Sequence, residues 1–544
     1  MVNRERSVLY VKHRYPMAQM SARQEAIARS KREPIMRVLP GLMLVMLLGA
    51  LDQTIMAPAL PAVASDLGGL NQIPAVVTAY LAAATVVMPV YGKLGDRFGR
   101  PRVLLVAIGI FMAGALVCGI AQSIAVLVVA RIIQGAGGGG LMIGAQAVLG
   151  EVVSPRERGR YLGLLSGVYI LAAVGGPLLG GLVVDHLSWR WIFAGYLPLG
   201  LLALIMVRRT LRLPVPQARP PIDYAGAILL AIAVLAVVLL ASITGRAGQV
   251  PVWVVPALII AAIAATATWL LTTRRAVDPI LPLRLFRDRS FAIPAAISFL
   301  IGFALFGTVS YLPSYLQIAT GSSSTRAGLV VTCLMTGVII TLIISGQLIS
   351  RSGHYRIFPI MGTALATAGL ALLGTVDPAT PTPVMLAFLL LIGFGVGMTM
   401  QVMMLVAQNS APRADLGTAT STVTFLRQIG ASTGVAVVGA LITLRFIERL
   451  PRAVIEWIPG GAGGLSADRL RALPADLQAA VAAAYGAAVP PVFGYVAPLI
   501  GVAFLLALAL PARPLRDTAY ADDPAAEITQ TSKPGSHQEE TTHG

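Results

Sequence analysis

The sequence predicts an all-α polytopic membrane protein of fourteen membrane-spanning helices: two six-helix bundles with two inserted helices between them. Three observations carry that expectation. Of the 544 residues, 56% are hydrophobic and 12% charged, with mean hydropathy +0.79; a soluble domain carries about 25% charged residues. Apolar runs of about 20 residues, the length that crosses a bilayer, recur along the chain. The basic residues fall in alternate connections between those runs.

The apolar runs cover 38–60, 74–94, 102–121, 125–147, 161–183, 190–208, 224–243, 252–272, 291–317, 327–349, 356–375, 384–408, 418–446 and 489–511. The N-terminal tail and every second connection after it hold 31 Lys/Arg, and the opposite connections hold seven, four of them in 448–488. This asymmetry predicts cytoplasmic termini and an even number of spans. The net charge of +17 is then a topology signal, and no nucleic-acid partner is expected. Nine Lys/Arg precede residue 38 and no small-residue cleavage site follows, so no cleaved signal peptide is expected. Residues 1–37 and 512–544 read as mobile cytoplasmic tails, and 448–488 as a long external loop in which 466–484 predicts an amphipathic surface helix. Cys118 and Cys333 both lie in apolar runs, which excludes a disulfide framework and a thiolate metal site.

The chain repeats itself. GKLGDRFGRPR (92–102) follows the second run and GQLISRSGHYR (346–356) the tenth; a shift of 254 aligns Gly92/Gly346, Leu94/Leu348, Arg97/Arg351, Gly99/Gly353 and Arg102/Arg356. Pro155-Arg156 is echoed by Pro412-Arg413. Both echoes are eight spans apart. That predicts a bundle over 38–210, an inserted pair over 211–290 and a second bundle over 291–511, the arrangement of two halves around a central cavity used in alternating access.

Only Asp52, Arg131 and Arg427 are charged well inside the runs. A charge at the bilayer centre costs about 2.5–3.5 kcal/mol on insertion scales and so faces a cavity or a partner. Asp52 is the acid among them. Burial and a nearby cation act oppositely on a carboxyl's hold on its proton, so Asp52 is a candidate proton carrier; a structural ion pair with Arg131 is the plainer reading. Arg131 fits either a charge that favours deprotonation or a polar anchor between helices. Arg427 sits near a span end and can snorkel to the interface. In the 92–102 loop, Gly92, Gly95 and Gly99 allow close approach and tight turning. Asp96 can meet a helix N-terminus across the halves, and Arg97, Arg100 and Arg102 can pair with acids or lipid headgroups. Gly176 and Gly180 at GxxxG spacing allow close helix approach, and Pro177 favours a kink. Gly137–Gly140 lacks the Lys-Ser/Thr of a phosphate-binding loop and reads as packing. Polar groups suited to a cavity are Gln53, Tyr80, Gln134, Tyr169, Tyr311, Tyr315, Gln317, Gln401, Gln408 and Asn409, with methionines for plasticity. Trp189 and Trp191 read as interfacial anchors.

The loop Gly92-Lys93-Leu94-Gly95-Asp96-Arg97-Phe98-Gly99-Arg100 resembles the signature loop of the major facilitator superfamily. LDQTIMAPALP (51–61), Arg131-Ile132-Ile133-Gln134-Gly135, Gly175 to Gly181, WRWIF (189–193) and FLRQIGASTGVA (425–436) resemble its fourteen-span drug:proton antiporter branch. The resemblance covers about 38–511. It implies that Arg131 serves proton movement, beside Asp52 as the candidate carrier. It further implies that Gly92, Asp96, Arg97, Gly99 and Arg100 latch the halves in the outward-open state, and that Gly176, Pro177, Gly180 and Gly181 mark an exporter. The branch usually has Asn at the positions of Ala57 and Tyr196, and an acid at that of Ser350.

The expected function is therefore proton-coupled antiport of amphipathic or hydrophobic compounds, as in multidrug efflux, with Gln53, Gln134, Tyr169, Tyr311, Tyr315, Gln401 and Arg427 lining the cavity. Dedicated export of a metabolite, lipid or amino acid is the nearest rival, and a non-transporting membrane sensor the rival from another class. No His/Asp/Ser cluster, metal spacing or nucleotide motif suggests an enzyme. The expected partners are a small amphipathic molecule, protons and lipid, with no cofactor and a monomer sufficing. The Ala/Gly/Arg-rich composition suits the inner membrane of a GC-rich bacterium.

Overall fold

The computed structural model describes residues 17–67, 73–211, 223–243, 251–322, 324–450, 454 and 474–515. The side chains of 17–34 and of a few later helical positions, Ala57, Tyr169 and Pro177 among them, lie outside that set. Among the described residues fourteen long helices follow one another and no strand occurs. They are α1 Met17–Leu67, α2 Ile73–Phe98, α3 Arg100–Gly119, α4 Ile124–Val152, α5 Pro155–His186, α6 Arg190–Thr210, α7 Tyr224–Ile243, α8 Val254–Thr273, α9 Arg289–Ala319, α10 Ser324–Ser352, α11 Ile357–Leu373, α12 Thr382–Ser410, α13 Leu416–Arg449 and α14 Ala475–Leu508. Each predicted apolar run lies on one helix. Twelve of the fourteen are long and apolar enough to cross a membrane; α11 is a shorter apolar helix, and α5 carries its charges near its two ends. Only helices and closed barrels satisfy every backbone N–H and C=O without water, which is why apolarity of this kind resolves into helix throughout.

Two boundaries correct the sequence reading. α1 starts at Met17, so the second half of the supposed tail is helical; its Ala-, Arg-, Gln- and Glu-rich stretch has high helix propensity. α14 starts at Ala475 rather than 489. Pro490-Pro491 reads as a helix start, but the helix runs through both prolines. Residues 475–484 are therefore the first turns of α14 and not a separate surface helix. The rest of that expected helix up to 473, and the tails at 1–16 and 516–544, lie outside the described residues.

In the first half α1 packs on α4, α5 and α6, α2 on α4, and α3 on α4 and α6; in the second, α9 packs on α12, α13 and α14, α10 on α12, and α11 on α12 and α14. The second pattern is the first advanced by eight helices. There are two cores, one around Leu42, Phe111, Leu127 and Phe193 that reaches Met404 and Val423 of the second half, and the other around Leu312, Leu334, Leu389 and Phe493. The halves meet along two seams, α2 with α13 and α5 with α10. The inserted α7 packs on α2, α13 and α8, at the edge of the first seam. Outward-facing Ile120, Leu171, Leu178 and Ile260 leave the perimeter apolar, as a lipid-facing surface requires.

Candidate functional site

Inside the first half, Asp52 of α1 and Arg131 of α4 form an ion pair with no water access: they are 0% and 1% exposed. Arg131 Nη1 donates to Asp52 Oδ1 and Oδ2 at 2.7 and 2.8 Å. Gln134 lies three residues on, on the same face of α4; its Nε2 donates to Asp52 Oδ1 at 3.0 Å and its Oε1 accepts from Arg131 Nη1 at 2.9 Å. The guanidinium stacks 4.2 Å from the Tyr80 ring centre. Cys118 Sγ lies 3.4 Å from Gln134 Oε1, and Tyr196 is a further electrostatic neighbour of Asp52, its ring held edge-on to Phe111 at 5.5 Å. Asp52 is thus a paired carboxylate and not a lone one. Removing one partner of such a pair costs about 3–5 kcal/mol, because the other charge stays buried; adding a proton to the acid unmakes the pair while leaving Arg131 its aromatic face.

α5 packs tightly on α1 beside this cluster. A Cβ on Gly176 would sit 2.1 Å from Thr54 Oγ1, and that hydroxyl donates to Ala172 O at 2.9 Å. Gly180 is buried, whereas nothing lies within 4 Å of the Cβ position of Gly181. Gly176, and not Gly181, makes a close contact. Pro177 contributes no described side chain.

The 92–102 loop forms a second cluster, at the end of the bundle where α2 gives way to α3. Asp96 accepts from the backbone N–H of Gly417 (2.8 Å) and Thr418 (2.7 Å) and from the Thr418 hydroxyl (2.8 Å). It caps the exposed N–H groups of α13's first turn, where an anion is favoured. Arg100 Nη2 donates to Asp96 (2.8 Å) and to Arg413 O (3.0 Å), and its Nη1 to Glu151 (2.6 Å). Arg413 reaches Glu151 at 3.5 Å. Gly92 is where α2 and α13 touch: a Cβ there would lie 2.0 Å from Ser421 Oγ and 2.7 Å from Gly417 O. Gly99, at φ 91°, turns the chain into α3, as its repeat partner Gly353, at φ 73°, does before α11; both φ values favour glycine. Arg97 stacks on Phe98 at 5.1 Å.

Between these clusters lies a buried polar layer that joins the halves. Arg158 donates to Val153 O (3.2 Å), to Gly150 O and to Gln408 Oε1 (3.4 Å). Gln408 also reaches Thr420 (2.9 Å), and Thr424 bonds Gln146 (3.2 Å). Sequence reasoning named Gln408 but missed Glu151, Arg158 and Gln146. Glu151 and Arg158 read as charges just beyond a span end; their position either side of the echoed Pro155-Arg156 was the available signal.

The cavity candidates divide. Gln134 is fully buried in the ion-pair cluster and not a cavity-lining group. Tyr315 and Gln401 are buried; Tyr311 is half-buried and donates to Val435 O at 3.0 Å; Gln53 and Arg427 are half-buried. Tyr169 lies outside the described side chains. Trp191 is 60% exposed, whereas Trp189 is buried and donates to Asp66, so only Trp191 keeps the exposure of an interfacial anchor. Arg190 pairs with the same carboxylate. The bonds from Arg190 and then Trp189 hold Asp66 below its usual carboxylate range.

The fold has counterparts in known proteins. The chain is 37% identical over 475 residues to the uncharacterized MFS-type transporter Rv1877 of Mycobacterium tuberculosis, covering 87% of this chain and 69% of that one. It is 33% identical over 423 residues to the multidrug transporter protein MdtP of Bacillus subtilis, covering 77% and 78%. The crystal structure of the human organic anion transporter MFSD10 superposes with TM-score 0.57 at 16% identity, over 87% of this chain and 99% of that one, a likeness of fold. The family model of the Major Facilitator Superfamily matches residues 42–435; with the two eight-helix-shifted halves and the signature loop at their seam, the chain belongs to the major facilitator superfamily of membrane transporters.

Proposed function

We propose that this transporter is a proton-coupled exporter of amphipathic or hydrophobic compounds, working by alternating access with Asp52 as the proton carrier. The observation that carries the reading is the Asp52–Arg131–Gln134 cluster, a titratable ion pair sealed in the first half and shared by α1 and α4. A proton and a substrate drive each other in opposite directions if each has different affinity for the two states. Protonation of Asp52 releases its bonds to α4; deprotonation restores them. The names of the Bacillus subtilis relatives, multidrug transporter MdtP and multidrug resistance protein 3, support a broad apolar substrate range. Both termini sit in the cytoplasm of a bacterial inner membrane on the positive-inside count, so the end closed by Asp96 faces the cytoplasm and the latched form is outward-facing. Gly176 and its neighbours hold α5 against α1 next to the proton site.

The test is dye export from proteoliposomes under an imposed pH gradient. Wild type moves a cationic dye against its gradient; Asp52→Asn binds dye but no longer responds to the gradient. Full pH-driven transport by Asp52→Asn overturns the proton assignment. Flux of an amino acid or lipid without dye flux points to a dedicated exporter, and binding without any flux to a sensor.

A further inference from the structure

The inserted helices end in a segment, residues 274–288, that returns the chain to α9. From Asp278 onward it is fixed to the protein. Ile280 and Leu281 are buried, and Leu285 enters the first core with Phe286 packed against it. Its charges reach three other elements. Asp278 pairs with Lys93 in the signature loop of α2. Arg284 Nη2 donates to both oxygens of Asp415 at 2.9 and 3.0 Å, and Asp415 is the N-cap residue of α13. Asp288 accepts from Arg513, beyond α14, at 2.8 and 3.1 Å. Lys93 lies one turn before Asp96, and Asp415 stands immediately before the turn that Asp96 caps. The segment therefore touches both sides of the α2/α13 seam, at the level of the latch.

We propose that residues 274–288 form a strap across this seam, with Asp278 and Arg284 as positioning residues: Asp278 acts through Lys93 on the signature loop, and Arg284 through Asp415 on the first turn of α13. The inserted pair α7–α8 is the strap's anchor in the bilayer, since α7 packs on both α2 and α13. The strap biases the halves toward closure at the latch end. The inference rests on the alternating-access reading above, but its test does not need flux.

Spin labels on Arg102→Cys and Ser352→Cys, exposed positions at the latch end of the two halves, in a Cys333→Ala background, report the separation of the halves in nanodiscs. The double variant Asp278→Asn with Arg284→Gln raises the long-distance population about tenfold or more, as expected from losing the largely buried Lys93–Asp278 pair and the more exposed Arg284–Asp415 pair. Lys93→Asp alone also raises it, and Lys93→Asp combined with Asp278→Lys returns it toward wild type, which a purely structural lesion does not do. An unchanged distribution in the double variant, with helical circular dichroism intact, overturns the strap, as does a charge swap that fails to restore. If distances respond while wild type moves no dye, the strap stands and the dye-export reading falls; if dye moves and distances do not respond, the reverse holds.

Discussion

The two seams between the halves are built from the same repeat and are fastened differently. At one, Gly92 of α2 lies against Gly417 of α13; at the other, Gly346 of α10 lies against Gly159 of α5, with the Cβ position of Gly346 2.6 Å from Gly159 O. Close approach of glycine to glycine is therefore common to both. The ionic fastening is not. At the first seam Asp96 caps α13, and Arg100, Glu151 and Arg413 tie the cap to α4. At the second, Ser350 occupies the position shifted by 254, and Arg156 donates to Arg351 O at 3.5 Å. The helix ends differ as well. α13 begins only at Leu416, after a 3-10 turn over Arg413–Asp415, whereas α5 begins at Pro155 itself, the echo of Pro412. The repeat conserves the approach of the helices; the latch needs in addition a helix start with free N–H groups facing the acid.

Asp96→Ala is the largest way to break that difference. It leaves the Gly417 and Thr418 N–H groups uncapped and takes one of two carboxylates from a buried Arg100. The closed form should lose about 3 kcal/mol, roughly a hundredfold in population. Dye flux in proteoliposomes should fall steeply while equilibrium dye binding persists; normal turnover would mean the cap does not distinguish the seams.

The glycines give an intermediate effect. In Gly92→Ala the new methyl meets the Ser421 side chain and the backbone of Gly417, so the helices must separate, at about 1–3 kcal/mol. In Gly159→Ala the nearest atom, Gly346 O, is 3.4 Å away, an ordinary contact. Thermal unfolding in detergent should show a lowered midpoint for Gly92→Ala and a near-wild-type one for Gly159→Ala. Equal losses would mean that the second seam is as tight on its Gly159 side as the first is at Gly92.

These contrasts also mark what the sequence discloses. The fourteen helices were legible because hydrocarbon forces backbone pairing within each apolar run, and the halves because the loop echoes survive. The start of α14 was not, since Pro490-Pro491 imitates a helix start in a stretch whose alanines keep it helical. Asp52 stood out as an acid in an apolar run, with Arg131 as its possible partner, and Asp96 as an acid among glycines at a turn. Gln134 was misassigned because an amide looks alike whether it faces a cavity or completes an ion pair. Glu151 and Arg158 were missed because a charge beside a span end looks like a topology signal until its partner from the other half, more than 200 residues away, is brought against it.

The smallest predicted effect is the sharpest test of the comparison. Ser350→Asp restores to the second seam the acid that the repeat lacks there, one turn beyond Gly346 as Asp96 is one turn beyond Gly92. If an acid at this place were enough, the variant would gain what Asp96→Ala loses. The helix starts argue otherwise. Because α5 begins at Pro155, Glu157 and Arg158 N–H already bond Ser154 O at 3.0 and 2.9 Å, and the N–H groups facing Gly346 belong to the helix interior, where each has its own carbonyl. A carboxylate at 350 has no free N-terminal turn to cap. It meets the exposed basic side chains of Arg156 and Arg351 instead, and the gain should stay below about 1 kcal/mol, fading with salt. The measurement is the unfolding midpoint at low and high ionic strength, beside the separation of the halves. A salt-insensitive gain matching the loss in Asp96→Ala would show that the acid alone makes the latch and that where the partner helix begins is immaterial.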